Sequence, residues 1–186
     1  MKPQLSCLRD LNLEFYPNFL SKKTADLYFD SLHTKVNWQQ ETYSLFGKQI
    51  PSPRLTAWYG DNNAIYKYSG IVHQPLAWIP ELIELKNRIE DLKNFEFNSA
   101  LANLYRNGFD SMGYHSDNEP ELGHEPIIGS LSLGCSRKFY LKHKHNKALY
   151  KMNLSHGSLL IMSHGTQAYW QHAVPTQKRV HCPRIN

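Results

Sequence analysis

The chain has 186 residues, 41% apolar and 20% charged, which suits one domain with a sizeable core and excludes a disordered polymer. No apolar run reaches the roughly 18 residues of a membrane span, and the N-terminus lacks the apolar segment of a secretory leader. A formal net charge of +5 and a pI near 9.0 favour an anionic partner without identifying it.

Leu11–Phe15 alternates and predicts a short strand, interrupted by Pro17. Ser21 is placed to cap a helix to about residue 33, with Ala25, Tyr28, Phe29 and Leu32 at helical spacing. Residues 37–75 differ. Trp38, Phe46, Trp58, Tyr59, Tyr66 and Tyr68 lie among Lys48, Arg54 and Lys67, punctuated by glycine and proline. They read as hairpins and loops, either a β-rich edge with core aromatics or an exposed aromatic and basic lid. Pro80 opens a second helix at a favourable first-turn position, and Leu82, Leu85, Ile89 and Leu92 give it one apolar stripe. Beyond residue 94 the pattern turns to strands: 95–97, 100–105, 127–133, 138–142, 150–154, 158–162, 170–174 and 179–181. Short strands separated by turns predict a sandwich or jelly roll.

Cys7, Cys135 and Cys182 match neither a zinc spacing nor a disulfide framework, and predict free thiols in a reducing compartment. His115 and Asp117 are two positions apart; on a strand both would point the same way. A second imidazole would complete a facial triad with open coordination positions, suited to non-haem Fe(II). Of the ten histidines, His172 is the best candidate, standing in an alternating stretch late in the β region. Zinc also accepts such ligands, and the triad alone does not separate the metals. Arg184 follows near the C-terminus. Its permanently charged fork suits a carboxylate beside the metal, the alternative being an ordinary surface charge.

Six motifs stand in order: Asn103-x-Tyr105, Gly113-x-His115-Ser116-Asp117-Asn118-Glu119, Ser130-Leu131-Ser132-Leu133-Gly134, His156-Gly157-Ser158-Leu159-Leu160-x-Met162, Trp170-Gln171-His172-Ala173-Val174-Pro175 and Pro183-Arg184-Ile185-Asn186. Together they resemble the AlkB family of Fe(II)- and 2-oxoglutarate-dependent dioxygenases, most closely its duplex-DNA alkylation-repair branch. The resemblance implies an α+β fold: a double-stranded β-helix, or jelly-roll, core with N-terminal supporting helices and a nucleotide-recognition lid at about 37–75, all in one domain. It assigns Fe(II) to His115, Asp117 and His172, the distal carboxylate of 2-oxoglutarate to Arg184, and further contacts with that co-substrate to Asn103 and Tyr105. The implied chemistry uses O2 to hydroxylate an N-methyl group, and the hemiaminal then releases formaldehyde. The family pattern continues past Arg184 as Asn-Leu-Thr-Phe-Arg, its second arginine also binding 2-oxoglutarate; the sequence read here ends at Asn186.

Tyr66-Lys67-Tyr68-Ser69-Gly70 resembles the segment that holds a flipped base. The comparison stacks the base between Tyr68 and His115, with Tyr66, Ser69 and Glu119 at the base. Extrusion is needed because a ring nitrogen is out of reach within the stack, and a methylated pairing edge lowers its cost. Leu45-Phe46-Gly47-Lys48 resembles the branch's intercalating finger, in which Phe46 fills the vacated gap; the alternative is a buried loop anchor. Gln49 departs from the aromatic usual in that branch. Arg54, Lys142, Lys144, Lys147, Lys178 and Arg179 are expected along the phosphate path, or else are solvated surface charges. The expected partner is alkylated DNA, duplex and single-stranded, with a monomer acting away from membranes, cytoplasmic at the nucleoid in a bacterium or nuclear in a eukaryote. An RNA demethylase of the same chemistry and a non-catalytic damaged-DNA-binding module are the competing readings.

Overall fold

The computed structural model describes residues 2–6, 8–45, 47–64, 66–68, 71–92 and 95–186, with backbone only for residues 45, 66–68 and 71–73. Strand β1 (Gln4–Leu5) and strand β2 (Asn12–Tyr16) precede helix α1 (Lys22–Lys35). The helix begins where expected because the Ser21 hydroxyl accepts a hydrogen bond from the Thr24 N–H (3.2 Å). It buries Ala25, Tyr28 and Leu32. Hairpin β3–β4 (Thr42–Leu45, Lys48–Pro51) comes next, then β5 (Leu55–Gly60) and hairpin β6–β7 (Tyr66–Tyr68, Ile71–His73). Helix α2 (Pro80–Glu90) carries Pro80 in its first turn, where no amide hydrogen is needed. Then follow β8 (Ser99–Tyr105), β9 (Met112–His115), β10 (Ile128–Gly134), β11 (Arg137–His143), β12 (Leu149–Leu154), β13 (Ser158–Ser163), the single turn α3 (Thr166–Tyr169), β14 (Trp170–Val174) and β15 (Arg184–Ile185).

Two antiparallel sheets form the core. The larger has the order β1-β2-β13-β10-β15-β8-β5, the smaller β12-β11-β14-β9. The helices cover the outer face of the larger sheet: Leu20, Ala25, Tyr28, Leu32 and Leu85 pack with Tyr59, Leu104, Leu133 and Ile185. On its inner face Leu13, Tyr105, Leu160 and Met162 meet Phe139, Leu141, Trp170 and Val174. Strand β13 is therefore covered on both faces and buried at every position, which explains an apolar run where a half-exposed strand would alternate. This is the α+β arrangement expected of a jelly-roll core with supporting helices. Among the described residues no helix is long and apolar enough to cross a membrane.

The structure corrects three expectations. Residues 95–98 pair with no strand. Phe95 and Phe97 instead pack edge to face, 6.3 Å apart, in a cluster with Ile89 and Ile161, and the Phe97 N–H donates to Glu90 (2.6 Å). Residues 179–181 are turn and loop, closed by the Val180 N–H on the Gln177 carbonyl (2.8 Å), and the last strand is Arg184–Ile185. The cysteines are not all free: Cys135 and Cys182 form a disulfide with Cα atoms 5.8 Å apart. Spacing in sequence could not show this, because the pair is made adjacent by β15 docking on β10 through Gly134↔Arg184. Gly134 has φ +85°, and a Cβ there would lie 2.5 Å from the Pro183 carbonyl oxygen. Only glycine permits that approach.

Residues 137–143 contain a buried arginine among apolar neighbours. Arg137 donates to the carbonyls of Asn107 (3.1 Å), Asp110 (2.8 Å) and Pro175 (2.9 Å). It thereby ties the β8–β9 loop to the segment after β14. The same loop is closed by Asp110, whose carboxylate accepts from the Arg106 backbone and guanidinium at 2.8–2.9 Å. Burial works to raise the Asp110 pKa, but the Arg106 hydrogen bonds and the Arg137 charge outweigh it and hold the carboxyl below its usual range.

Two stability measurements follow. Reducing the disulfide, or Cys182→Ser, should remove about 2–4 kcal/mol and lower the melting temperature by roughly 5 °C or more; an unchanged melting curve in reductant would show the thiols unpaired. The depressed Asp110 pKa stabilises the fold fully above the unfolded carboxylate pKa and loses that contribution as pH falls through the folded value. Asp110→Asn should lower stability by about 2–3 kcal/mol at neutral pH and flatten the acid limb of a denaturation series.

Candidate active site

The site lies between the two sheets. His172, on β14, stands opposite His115 on β9 in the register, and Val174 stands opposite Met112. One residue of β14, Ala173, thus faces two of β9, Gly113 and Tyr114. This bulge changes the simple alternation expected of the segment: Met112 and His115, three apart, both line the cavity, as bulges do when they re-aim a side chain. Asp117 is beyond the end of β9. Its position is set by its own N–H donating to Gln167 Oε1 (2.9 Å) and by the Ser116 hydroxyl donating to the Trp170 carbonyl (2.9 Å).

The three expected metal ligands converge. One ligand atom from each of His115, Asp117 and His172 lies within 4.8 Å of the others. Asp117 Oδ1 is 3.6 Å from His115 Nε2 and Asp117 Oδ2 is 3.5 Å from His172 Nε2. His115 Nδ1 is 2.9 Å from the Gly113 carbonyl. A carbonyl only accepts, so Nδ1 carries the proton and Nε2 presents its lone pair. His172 is buried and stacks on Phe139 at 5.3 Å. Burial, then the neighbouring His115, pulls its pKa down to about 3, so it is a neutral ligand at any ordinary pH. Burial pushes the Asp117 carboxyl above its usual range, with His115 and Arg54 opposing and Glu119 reinforcing. A divalent cation would reverse that desolvation penalty. Two imidazoles and one carboxylate converging from one side fit a facial triad.

Two of the residues expected to hold the co-substrate, Asn103 and Tyr105, line the same cavity, whose volume is about 950 Å3 and whose lining also includes Glu119 and Asn186. Arg184 is completely buried beside it. Register places it opposite Tyr105 on β8 and Gly134 on β10, with its guanidinium carbon 5.3 Å from the Tyr105 ring centre. Nη2 donates to the Ser132 hydroxyl (3.0 Å), while Nε and Nη1 are buried without a hydrogen-bond partner. Burial lowers the Arg184 pKa to about 10, Tyr105 working the other way. A fork with two unmet donors suits a carboxylate. Asn186 caps the strand end by donating to Ser130 Oγ (2.9 Å) and the Leu131 carbonyl (2.8 Å).

The basic residues divide. Arg54 was expected on the phosphate path, but its Nε donates to Asn103 Oδ1 (2.7 Å) and it lines the cavity. That hydrogen bond turns the guanidinium inward, so Arg54 stands in the cavity wall beside Asn103. Lys144 is also tied inward, donating to the Gln167 carbonyl (2.8 Å). Lys48, Lys178 and Arg179 are exposed, and Lys142 sits over the Tyr114 ring at 5.7 Å; none of the four lines the cavity. Gly47 takes φ +76° at the tip of hairpin β3–β4. Phe46 and Ser69, and the side chains of Tyr66 and Tyr68, lie outside the described residues.

Residue patterning gave no role at the site to Arg137, Phe139, Ser132 or Gln167. Arg137 carried a signal: it keeps step with Phe139 and Leu141 on the inward positions of β11, where a surface charge has no place. Gln167 carried none, because its partner is 50 residues away.

A family model described as the 2OG-Fe(II) oxygenase superfamily matches residues 12–186. The bovine protein named alpha-ketoglutarate-dependent dioxygenase alkB homolog 3 is 45% identical, over 91% of this chain and 62% of its own length. The human protein named DNA oxidative demethylase ALKBH2 is 35% identical, over 92% of this chain and 70% of its own. The chain thus spans somewhat under two thirds of the alkB homolog 3 proteins it matches. A solved structure of OsALKBH1 superposes with a TM-score of 0.66, covering 98% of this chain and 97% of that one at 16% identity, which speaks for the fold.

The geometry makes two binding expectations. Calorimetry with Mn(II), which occupies such sites without turnover, should show one cation per chain, and His172→Ala should abolish it; undiminished binding would remove the triad assignment. Arg184→Lys keeps the charge but loses the fork, and should weaken 2-oxoglutarate binding to the Mn(II)-loaded protein by about tenfold or more. Unchanged affinity would show that the orphaned nitrogens serve another group.

Proposed function

This chain belongs to the AlkB family within the 2OG-Fe(II) oxygenase superfamily, and on that basis we propose that it is a DNA repair dioxygenase that oxidatively demethylates N-alkylated bases such as N1-methyladenine and N3-methylcytosine. The observation that carries the reading is the convergence of His115, Asp117 and His172 at a cavity also lined by Asn103, Tyr105 and Asn186, with the two unmet donors of buried Arg184 beside Tyr105. A metal alone would need no such arginine.

His115, Asp117 and His172 would hold Fe(II), which would supply activation of O2 coupled to oxidation of 2-oxoglutarate to succinate and CO2. The protein's residues supply position and exclusion. Arg184 takes the distal carboxylate, and its burial removes the water that would compete for that ion pair. Tyr105 and Asn103 set the other side of the co-substrate, and Arg54 holds Asn103 in orientation. One oxygen atom of O2 enters succinate and the other enters the N-methyl carbon. The C–N bond of the hemiaminal then breaks, returning the base nitrogen and releasing formaldehyde.

The base is assigned to the space between Tyr68 and His115, with Tyr66, Ser69 and Glu119 at the base. Phe46, which follows Leu45 and precedes Gly47 in the sequence, is assigned to the gap in the duplex, with Lys48, Lys142, Lys178 and Arg179 on phosphates. The 186 residues act as one domain in this reading, residues 37–75 contributing the lid. Both DNA-directed naming of the human ALKBH2 relative and the basic surface support DNA as the polymer.

The test is purified protein with Fe(II), ascorbate and 2-oxoglutarate on methylated DNA and matched RNA strands. Formaldehyde should appear in proportion to lost methyl groups and depend on 2-oxoglutarate; faster turnover of RNA than of DNA would reassign the polymer. Phe46→Ala should slow repair of duplex roughly tenfold more than repair of single strands, corresponding to about 1.4 kcal/mol, and equal losses would reject the intercalating role.

A further inference from the structure

The outer face of the smaller sheet has a composition that the cavity does not explain. Register places Lys138, Tyr140 and Lys142 of β11 opposite Asn153, Lys151 and Leu149 of β12, and Tyr140 and Lys142 opposite Ala173 and Gln171 of β14. These positions are out of phase with Phe139, Leu141 and His172, which point into the interior. The bulge in β9 turns Tyr114 to the same outer side, where it is 41% exposed and Lys142 Nζ lies 5.7 Å from its ring centre. Lys151 Nζ lies 5.2 Å from the Tyr140 ring centre. The face thus alternates two tyrosine rings with three lysines, and no carboxylate stands on it.

An ordinary solvated β face mixes both signs of charge and needs no rings. Here every charge is positive and each ring lies beside an ammonium. From Lys138 to Lys142 the strip follows β11 for about 13 Å, room for a couple of nucleotides. Strand β9 is the edge of its sheet, and Gly113 beside Tyr114 has nothing within 4 Å of where a Cβ would sit. A backbone crossing that edge at Gly113 finds open space where a side chain would otherwise stand. We infer that this face binds the single-stranded DNA that flanks a base held in the cavity, phosphates meeting Lys138, Lys142 and Lys151 and unstacked bases lying on Tyr114 and Tyr140. Tyr114 is exposed and Tyr140 half-buried; stacking on such rings requires bases free of a duplex, and alternation of rings with cations is the pattern of single-strand platforms. The inference rests on the demethylase reading in taking DNA as the polymer, and extends it from the base to the flank.

The experiment compares the Mn(II)-loaded protein with a five-nucleotide strand centred on N1-methyladenine, the same core with a 15-nucleotide oligothymidine flank, and the core with that flank made duplex. Fluorescence anisotropy should show tighter binding of the single-stranded flank alone. Lys138→Gln with Lys151→Gln should weaken the flanked strand roughly tenfold and lower the salt slope by about 1.4. Tyr140→Ala should weaken it roughly fivefold or more. Affinity and demethylation of the five-nucleotide core should stay as in the parent, which also shows that the variants fold. Unchanged affinity for the flanked strand, an equal loss on the short core, or an equal gain from the duplex flank would each overturn the inference. Failure to demethylate the short core by the parent protein would instead strike the demethylase reading, which the flank-binding comparison does not measure.

Discussion

Arg184 is a cation held with no access to water and with two of its donors unmet. Leaving a buried charge uncompensated costs several kcal/mol, and nothing in ordinary packing returns it. The surroundings are arranged to hold it anyway. Strand β15 is two residues long yet is hydrogen-bonded on both sides, to β10 and to β8. Asn186 fastens its end to β10, and the Cys135–Cys182 disulfide closes its beginning. Tyr105 lies beside the guanidinium of Arg184 and also beside that of Arg137. A group kept buried and short of partners is waiting for one, and a carboxylate is the partner whose shape and charge fit.

The triad depends on the same sandwich. His172 belongs to the centre of the smaller sheet and His115 to its edge, and their pairing brings the rings to 4.2 Å. Asp117 joins them from a loop, held by Gln167 and by its neighbour Ser116. Those partners act on the ligands indirectly, by removing freedom that an ion would otherwise have to remove on binding. Burial gives the imidazole its neutrality and leaves the carboxylate above its usual pKa. Both conditions favour a cation over an empty cluster of acids and bases. The metal residues and the arginine therefore express one constraint, polar groups desolvated between two sheets.

Charge on this protein is sorted by depth. Arg54, Arg137, Lys144 and Arg184 are drawn inward to carbonyls, hydroxyls or side-chain amides. The remaining basic residues of the smaller sheet and its following turn stand outside, among tyrosines. An inventory of lysines and arginines treats these two sets alike. In the fold, the first set is tied into the interior, where Arg54 lines the cavity, and the second stays at the surface.

Much of the site was legible in the chain by itself. The helix started by Ser21, the proline-led second helix and most strands follow from local propensity and periodicity, which need no distant partner. The metal ligands and Arg184 could be assigned because six motifs occur in order, and a metal-binding triad restricts residue types more sharply than packing does. The tertiary structure decided what depends on registry. Only docking of β15 on β10 joins Cys135 to Cys182, only the bulge opposite Ala173 sends Met112 and His115 inward together, and only Asn103 turns Arg54 away from the surface. Phe95 and Phe97 have the alternation of a strand yet find a better partner in an apolar cluster. Sequence fixes which groups are available, because side-chain chemistry is local. Which of them meet is settled by how the sheets pair, because a shift of one residue moves every side chain of a strand to the opposite face.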